Sequence, residues 1–268
     1  MQINRPPGTA AVNGKLWGAR ARDWAELQEG QLRPVYEEVL SRTGVGDGTA
    51  YLDVGCGAGM AVAMASARGA TSAGLDASAA LLEIARARTP GADLREGELE
   101  ALPFADAGFN VVTAFNSIQF AQRPLRALEQ ARRVLRRSGS LAVVTWAPPD
   151  GMEASRIVTA LGPLLPAPLQ GAPGPFALSQ EHSLRFIVSE AGFKPREVAD
   201  VECFFTWPDL TAALRGLASS GVAVRAAEHS GQAAVDAAYE KVLAPFRQSN
   251  GQYRLRAVFR YLLATAWR

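Results

Sequence analysis

The feature that most constrains the fold is a regular alternation of strand and helix patterns between Gly48 and Pro149. Short apolar runs such as AYLDVG, TSAGLDAS and FNVVTAFNS are separated by helical stretches such as SAALLEIARART and PLRALEQARRVLR. Repeated strand–helix units of this kind specify a parallel sheet with helices on both of its faces. We therefore predict an α/β protein with five strands in this part of the chain.

The chain outside this region shows a looser pattern. Upstream, DWAELQEGQLRPVYEEVLSRTGV predicts a helical segment beside the end of the first strand. Downstream, GAPGPFAL predicts a loop, SQEHSLRFIVSEAGF a helix that begins at Ser179 and ends at Gly192, and REVADVECFFTW a strand. The alanine-rich residues 208–247 predict helices, and the closing stretch YRLRAVFRYLLATAW predicts a final strand.

Length and composition indicate a globular protein and exclude several partner classes. A chain of 268 residues can form one large domain that carries an insertion. The net charge of +2 comes without a clustered basic run, so we expect no nucleic-acid partner. The sequence has no apolar run of membrane-spanning length and begins without a secretory signal. Two distant cysteines, Cys56 and Cys203, indicate a reducing compartment, so we expect a cytoplasmic protein without membrane insertion.

The stretch YLDVGCGAGM places glycines at 55, 57 and 59 directly after the first apolar run. Glycines between a strand and a helix allow the backbone to approach a ligand closely. A dinucleotide-binding turn needs a third small residue at the position where this chain has Met60. Asp53 would also repel a pyrophosphate, because like charges repel. The turn therefore favours a ligand with a cationic group.

This turn resembles the first motif of the class I S-adenosylmethionine-dependent methyltransferases. GLDAS places Asp76 at the end of the second strand, where an acid can accept hydrogen bonds from ribose hydroxyls. LREGELEALPFADAGFNVVTAFNSIQF and RVLRRSGSLAVVTW are similar to the small-molecule branch that includes the ubiquinone and menaquinone biosynthesis methyltransferases. The resemblance is specific from about Val45 to Trp146. Four motifs in the same order carry it.

The resemblance implies a Rossmann-like, mostly parallel sheet of seven strands in the order 3-2-1-4-5-7-6, with the last strand antiparallel. It also implies a single methyltransferase domain over residues 1–268, with helices on both faces of the sheet. We expect a helical lid region at 1–45, a cofactor-binding core at 46–148 and an acceptor-side half at 149–268. A helical insert at 208–247 is expected to lie between the last two strands and to cover the acceptor site.

The same resemblance implies roles for individual residues. The glycines and Asp53 would lie near the methionine part of S-adenosylmethionine, Asp76 would hold the ribose, and other residues would contact the adenine. Trp17 and Trp24 are either packing anchors or part of a lid. The family usually has Asp where this chain has Glu98, and Asp where it has Asn110, which we expect to be structural. The implied cofactor-binding residues are Trp17, Trp24, Asp53, Gly55, Cys56, Gly57, Gly59, Met60, Asp76, Ala77, Leu81, Gly97, Glu98, Leu99, Asn116 and Ser117.

Methyl transfer from a sulfonium needs alignment and exclusion of water more than it needs acid catalysis. A base is required only when the acceptor carries a proton that must leave. The chain has two histidines, and we name His182, at the start of a predicted helix, as the candidate base. An exposed or capping role is the alternative for both His182 and His229. We assign no metal site.

Aromatic residues are concentrated in the segments expected to form the acceptor site, which predicts a small, apolar or aromatic methyl acceptor. They are Phe120, Trp146, Phe176, Phe205 and Trp207. Amine-directed nucleic-acid enzymes carry an Asn/Asp-Pro-Pro-aromatic motif after the fourth strand, where this chain has NSIQ. Three competing hypotheses are methylation of a macromolecule, a cofactor-binding regulatory or partner module without turnover, and an NAD-dependent oxidoreductase. The acceptor's identity, the attacked atom and the oligomeric state stay open at this point.

Overall fold

A computed structural model describes residues 9–167 and 174–267, and a seven-stranded sheet forms its centre. The strands are β1 (Ala50–Val54), β2 (Thr71–Asp76), β3 (Asp93–Glu96), β4 (Phe109–Phe115), β5 (Leu135–Trp146), β6 (Phe193–Trp207) and β7 (Tyr253–Ala266). Their order is β3-β2-β1-β4-β5-β7-β6, and β7 runs antiparallel to both of its neighbours. The predicted fold class, strand order and antiparallel last strand are confirmed.

Helices precede, connect and follow the strands. Those before β1 are α1 (Ala10–Gly18), α2 (Ala21–Asp23) and α3 (Arg33–Arg42). Those between the parallel strands are α4 (Met60–Ser66), α5 (Ala79–Arg88) and α6 (Pro124–Val134). Those in the second half are α7 (Ser155–Ala160), α8 (Glu181–Glu190), α9 (Leu210–Ala218), α10 (Gly221–Ser230) and α11 (Gln232–Leu243). None of the helices in the described part of the chain combines the length and the apolar character needed to cross a membrane.

The sheet buries both faces, as a parallel sheet flanked by helices requires. In β5, Leu141 and Val143 pack with α6 and α8, whereas Ala142 and Val144 point to the opposite face. That opposite face is covered by α3 and by the helices of the insert, α9 to α11. Helices α4 and α5 extend the same layer over β1 and β2. The alternation along β5 therefore separates one layer of α6 and α8 from another that holds the insert.

Strands β6 and β7 form a long antiparallel ribbon that extends beyond the rest of the sheet. Residues Phe259 to Thr265 of β7 pair with β5, but the earlier residues from Tyr253 onward pair with β6 alone. This projecting part lies at the carboxyl ends of the parallel strands, because β6 ends there. Helices α9 to α11 connect the two strands, so the insert lies where the sequence predicted it.

Several local expectations need correction. The upstream segment is not one continuous helix: a π-helical turn (Trp24–Gln28) and a 3-10 turn (Glu29–Leu32) separate α2 from α3. Pro34, in the first turn of α3, lacks a backbone N–H and suits a helix start. Helix α1 lies inside the region 1–45 that was predicted to be helical, whereas the short and weakly patterned helix α7 was not predicted. Helix α8 begins two residues after Ser179.

Asn110 has the structural role expected for it. Its side-chain Oδ1 accepts a hydrogen bond of 2.9 Å from the backbone N–H of Ala50, the first residue of β1, and one of 3.1 Å from Arg136. An amide oxygen makes these bonds as a carboxylate would. The change from the family's usual Asp therefore leaves the start of the sheet intact.

Candidate active site

The glycine turn joins β1 to α4 and is held tightly against its surroundings. At Gly55, where φ is +81°, an added Cβ would lie 2.3 Å from the Cβ of Ser117. At Gly59, where φ is +82°, an added Cβ would lie 2.7 Å from the Cβ of Ala85 on α5. Both conformations and both contacts require glycine. The turn thus lies close to the end of β4, and α4 begins in contact with α5.

Asp76, the last residue of β2, organises the turn through its carboxylate. One oxygen accepts from the backbone N–H of Gly57 at 2.9 Å, and the other accepts from that of Ser78 at 2.8 Å. Burial raises the pKa of Asp76, while the backbone N–H groups lower it. A carboxylate oxygen has more than one acceptor direction, so Asp76 can still accept hydrogen bonds from a ligand. Ser78 caps α5, since its hydroxyl accepts from the Leu81 N–H at 3.2 Å.

Asp53 lies on β1, two residues before Gly55, and is 2% exposed. Its Oδ1 accepts a hydrogen bond of 2.8 Å from the hydroxyl of Thr113, which also lies 2.6 Å from the hydroxyl of Tyr51. Burial raises the pKa of Asp53 to about 7, and the Thr113 bond opposes that rise. A cation bound beside Asp53 would favour its ionised form.

Arg88 of α5 fastens the upstream segment to the glycine turn. It pairs with the carboxylate of Glu29 and donates to the backbone oxygens of Ala25 at 3.0 Å and Ala58 at 2.9 Å. Burial raises the pKa of Glu29, whereas Arg88 lowers it. Arg88 thus ties residues 9–32, which we call the lid, to the glycine turn.

The lid is also bonded to the insert and to the loop after β3. Lys15 pairs with Glu228 at 2.8 Å, Arg20 donates to Gln232 at 2.8 Å, and Asp23 pairs with Arg215 at 2.5 Å. The carboxylate of Glu98 accepts from the first N–H of α1, that of Ala10, at 2.8 Å. Favourable pairing of an acid with a helix N-terminus explains this contact. The lid thus bridges the two halves of the chain.

A first cavity of about 880 Å³, partly open to solvent, lies between the glycine turn, the strand ends and the lid. Four carboxylates line it: Glu29, Asp53, Asp76 and Glu98. Its described lining contains no Lys, Arg or His. Such a site suits a ligand with a cationic group and hydroxyl donors, and it disfavours a pyrophosphate.

The structure brings most of the sequence-predicted cofactor residues together around this cavity. Those that line it are Trp17, Trp24, Asp53, Gly55, Cys56, Gly57, Asp76, Ala77, Leu81, Gly97, Glu98, Leu99, Asn116 and Ser117. Gly59 does not line it, because it packs on Ala85. Met60 does not line it either, although its backbone N–H donates to Glu29 at 3.3 Å.

The structure does not bring His182 to the site, and this assignment is corrected. His182 is exposed in the first turn of α8, which packs on the α6 face of the sheet, and it lines neither the first cavity nor the apolar cavity beside it. His229, in α10, is likewise exposed and lines neither cavity. The sequence pattern placed His182 at the start of a helix, but it did not show which face of the sheet this helix would cover.

Sequence reasoning missed Glu29 and Tyr36, which line the first cavity together with the start of α1. Both lie in the segment that we interpreted only as helical. Glu29 is buried by a contact with Arg88, a residue far along the chain, so no local pattern marks it. The π-helical turn just before it is a feature that often accompanies functional sites.

A second cavity of about 700 Å³ adjoins the first and shares part of its wall. The shared residues are Trp17, Trp24, Leu32, Asn116 and Phe120. Trp17 contacts Trp24 and Phe120 edge to face, with ring centroids 5.1 and 5.4 Å apart. Residues of the insert, including Leu217, Ser220, Val222 and Tyr239, close the far side. None of the described residues that line this cavity is charged.

Three of the five aromatic residues expected at the acceptor site line the second cavity: Phe120, Trp146 and Phe205. Phe176 packs on Trp146 with the ring centroids 6.2 Å apart. Trp207 is 1% exposed and lies behind Phe205 in the core, at 6.0 Å. Tyr239 and Phe259 line the cavity as well, and they come from segments interpreted only as secondary structure.

The sheet order, the glycine turn after β1 and the acid at the end of β2 define a Rossmann-like methyltransferase fold. Residues 52–143 match a family model described as a methyltransferase domain. Over this segment the chain is similar to the methyltransferase domain that the family model describes. This segment covers the strands that carry the glycine turn and Asp76.

Curated relatives include an uncharacterized protein and two proteins named as methyltransferases. An uncharacterized protein of Mycobacterium tuberculosis is 31% identical over 168 residues, which are 61% of this chain and 60% of that protein. A demethylmenaquinone methyltransferase of Renibacterium salmoninarum is 32% identical over 46% of this chain and 52% of its own. A malonyl-[acyl-carrier protein] O-methyltransferase of Erwinia pyrifoliae is 29% identical over 76% of this chain and 74% of its own length. The chain thus spans about 60% of the length of the first of these relatives.

Solved structures share the fold. A SAM-dependent methyltransferase from Aquifex aeolicus superimposes with a TM-score of 0.54 and 19% identity, covering 69% of this chain and 92% of that one. The cofactor of the family is S-adenosylmethionine, and the first cavity fits it. The acidic lining matches an ammonium and a sulfonium, and Asp76 offers acceptors for hydroxyls.

Proposed function

We propose that this protein transfers a methyl group from S-adenosylmethionine to a small, uncharged, apolar or aromatic acceptor. The observation that carries the proposal is the contact between two different cavities. One is acidic, the other is apolar and without charge among its described lining residues, and they meet at Trp17, Trp24, Asn116 and Phe120. A cationic donor and an apolar acceptor held in these cavities would be neighbours.

Specific residues would hold the cofactor. Asp76 and the glycine turn would bind its ribose, and Asp53 and Glu29 would bind its cationic end. Ala77, Leu81 and Leu99 would contact the adenine. When bound, the cofactor supplies an electrophilic methyl group whose leaving group is a neutral thioether.

The remaining catalytic work would fall to positioning and to exclusion of water. The lid covers both cavities and is fastened by Arg88 on one side and by the insert on the other. The described lining of the second cavity holds no His, Cys, Asp or Glu. The acceptor would therefore have to present a nucleophile that needs no strong base, and proximity with desolvation would supply most of the rate.

Two further observations support the proposal. One relative is named a demethylmenaquinone methyltransferase, and a quinone acceptor would suit the apolar second cavity. Both cysteines are buried and unpaired, which supports a reducing, cytoplasmic location.

Calorimetric titration with S-adenosylhomocysteine and with NAD, followed by a methyl-transfer assay with labelled cofactor, tests the proposal. We expect binding of S-adenosylhomocysteine, no binding of NAD, and turnover with apolar acceptors. Binding of NAD in its place would make the protein an oxidoreductase. Cofactor binding without turnover on a broad panel of acceptors would favour a binding module.

A further inference from the structure

We propose that Gln28 determines acceptor specificity by hydrogen-bonding a hydroxyl group on an otherwise apolar acceptor. The inference rests on the proposed function and deepens it, since it adds a chemical class to the contents of the second cavity. It makes Gln28 a binding residue for the acceptor and gives it no role toward the cofactor.

Gln28 is the last residue of the π-helical turn in the lid, and it is 6% exposed. Its side-chain Oε1 is buried and accepts no hydrogen bond within the described part of the chain. Buried polar atoms in folded proteins are nearly always paired, so an unpaired one requires an explanation. Gln28 lines the second cavity, and a ligand there can supply the missing partner.

The other buried side-chain atoms without partners do not offer the same explanation. They belong to Thr89, Gln119, Thr145 and Trp207, and none of these residues lines the second cavity. Gln31, three residues after Gln28, provides a contrast. Its amide donates to the backbone oxygen of Thr206 at 2.8 Å and accepts from the Thr206 N–H at 3.0 Å. One glutamine of the lid is therefore used for anchoring, and the other belongs to the cavity wall with its Oε1 unpaired.

The indole N–H of Trp207 is the nearest competing partner for Gln28. An added Cβ at Gly216 would lie 2.8 Å from Trp207 Nε1 and 3.4 Å from Gln28 Oε1, so both atoms lie beside the same turn of α9. They make no hydrogen bond with each other. If a bond between them were the true role of Gln28, the acceptor's hydroxyl would be irrelevant to it.

A hydroxyl is the polar group of an acceptor that best suits the uncharged second cavity beside Gln28. A carboxylate or an ammonium would lack a counter-charge, because the described lining is uncharged. A hydroxyl can donate to the amide oxygen and accept from the amide nitrogen of the same side chain. Gln28 lines the second cavity and not the first, so its partner would belong to the acceptor and not to the cofactor.

Equilibrium dialysis in the presence of S-adenosylhomocysteine tests the inference with three probes of one shape: 2-naphthol, naphthalene and 2-naphthoate. The wild type should bind 2-naphthol about tenfold or more tighter than naphthalene, and 2-naphthoate more weakly than either. In Gln28→Leu, which replaces the amide by an apolar side chain of similar size, the preference for 2-naphthol should fall to within about twofold.

Gln248→Leu serves as the matched control, since Gln248 is exposed and lines neither cavity. It should retain the full preference. Gln28→Glu is a second variant that keeps the side-chain length, and it should reject 2-naphthoate further. A hydroxyl preference that is absent in the wild type, or unchanged in Gln28→Leu, overturns the inference while S-adenosylhomocysteine still binds. Failure of the wild type to bind S-adenosylhomocysteine overturns the proposed function and this inference with it.

Discussion

At the level of a single residue, Asp76 holds the glycine turn, and we propose that it also binds the ribose of the cofactor. As an acceptor for a ribose, its loss in Asp76→Ala should weaken S-adenosylhomocysteine binding by roughly ten- to a thousand-fold. Its carboxylate also holds the backbone N–H groups of Gly57 and Ser78. From its position at a strand end beside a crevice, Asp76 would be expected to contribute little to stability. In the structure, however, its loss leaves the backbone N–H groups of Gly57 and Ser78 without a partner, so Asp76→Ala should melt a few degrees below the wild type.

Calorimetry and a thermal melt of Asp76→Ala check both effects. The exposed residue Asp150, which lines neither cavity, supplies the control variant Asp150→Ala. Wild-type affinity in Asp76→Ala would remove Asp76 from the site.

Asp53 should make cofactor binding depend on pH. Its pKa of about 7 in the folded protein means that the cationic S-adenosylmethionine meets more of the ionised carboxylate at pH 8 than at pH 6. Affinity for it should rise several-fold over this range, since each pKa unit corresponds to about 1.4 kcal/mol. In Asp53→Asn the rise should disappear. Titrations of both proteins with S-adenosylmethionine at pH 6 and pH 8 measure this change in affinity. A rise in affinity that persists in Asp53→Asn would contradict the role of Asp53 at the cationic end of the cofactor.

The same residue should affect stability in the opposite direction. Between about pH 4 and pH 7 the folded protein holds a proton on Asp53 that the unfolded chain has lost. The free energy of unfolding therefore falls as the pH rises through this range and stays lowered above pH 7. Asp53→Asn removes the buried charge and keeps an acceptor for Thr113, so without cofactor it should melt at least about 2 °C higher than wild type at pH 8. A lower melting temperature would indicate that the carboxylate stabilises the fold.

Among the secondary-structure elements, the lid depends on one side chain of α5. Arg88→Met removes the bonds to Ala25 and Ala58 and leaves Glu29 buried without its partner. Breaking a buried ion pair from one side costs about 3 kcal/mol, so the variant should be destabilised by an amount of this order. Amide hydrogen exchange should increase in residues 9–32 in particular.

Arg126→Met is the control for this variant, because Arg126 is an exposed residue of α6 whose described ion pair is with Glu129. It should unfold like wild type. If exchange in Arg88→Met rose equally in α6 and α8, the effect would be global, and Arg88 would not be a specific fastener of the lid.

The insert is part of the hydrophobic core as well as a wall of the second cavity, and this changes what its deletion is expected to do. The helical pattern of residues 208–247 suggests that their deletion would leave a folded core. In the structure, Leu217, Val235, Tyr239 and Leu243 are buried against the rest of the protein. Deletion would expose this apolar surface, and we expect it to prevent folding.

A cavity-filling variant separates the two cavities without removing the insert. Val222 on α10 lines the second cavity and does not line the first. Val222→Trp should therefore reduce acceptor binding at least tenfold and leave the affinity for S-adenosylhomocysteine within about twofold. Val12→Trp, at an exposed position of α1, is the control. Loss of cofactor binding in Val222→Trp would mean that the cavities are not independent sites.

At the scale of the whole molecule, the sequence predicted what local patterns and motif order encode. Strand and helix periodicity marks β1 to β7, and the resemblance to a family supplied their spatial order. The acid at Asp76 could be predicted because it directly follows a recognisable strand. Glu29 and Gln28 could not be, since their burial depends on the packing of the lid against α5 and α9. His182 was misassigned because a helix start does not reveal which side of the sheet the helix covers.

The bonds between the lid and the insert also bear on how the protein is made. The lid is synthesised before its partners Arg215, Glu228 and Gln232, which follow it by about two hundred residues along the chain. During synthesis the glycine turn and Asp76 would thus emerge with the lid unable to take its final position. Contacts so distant along the chain form late and slow the folding of a domain. The nascent chain should consequently acquire its affinity for S-adenosylhomocysteine only when the insert has been released, well after the whole family motif has been translated.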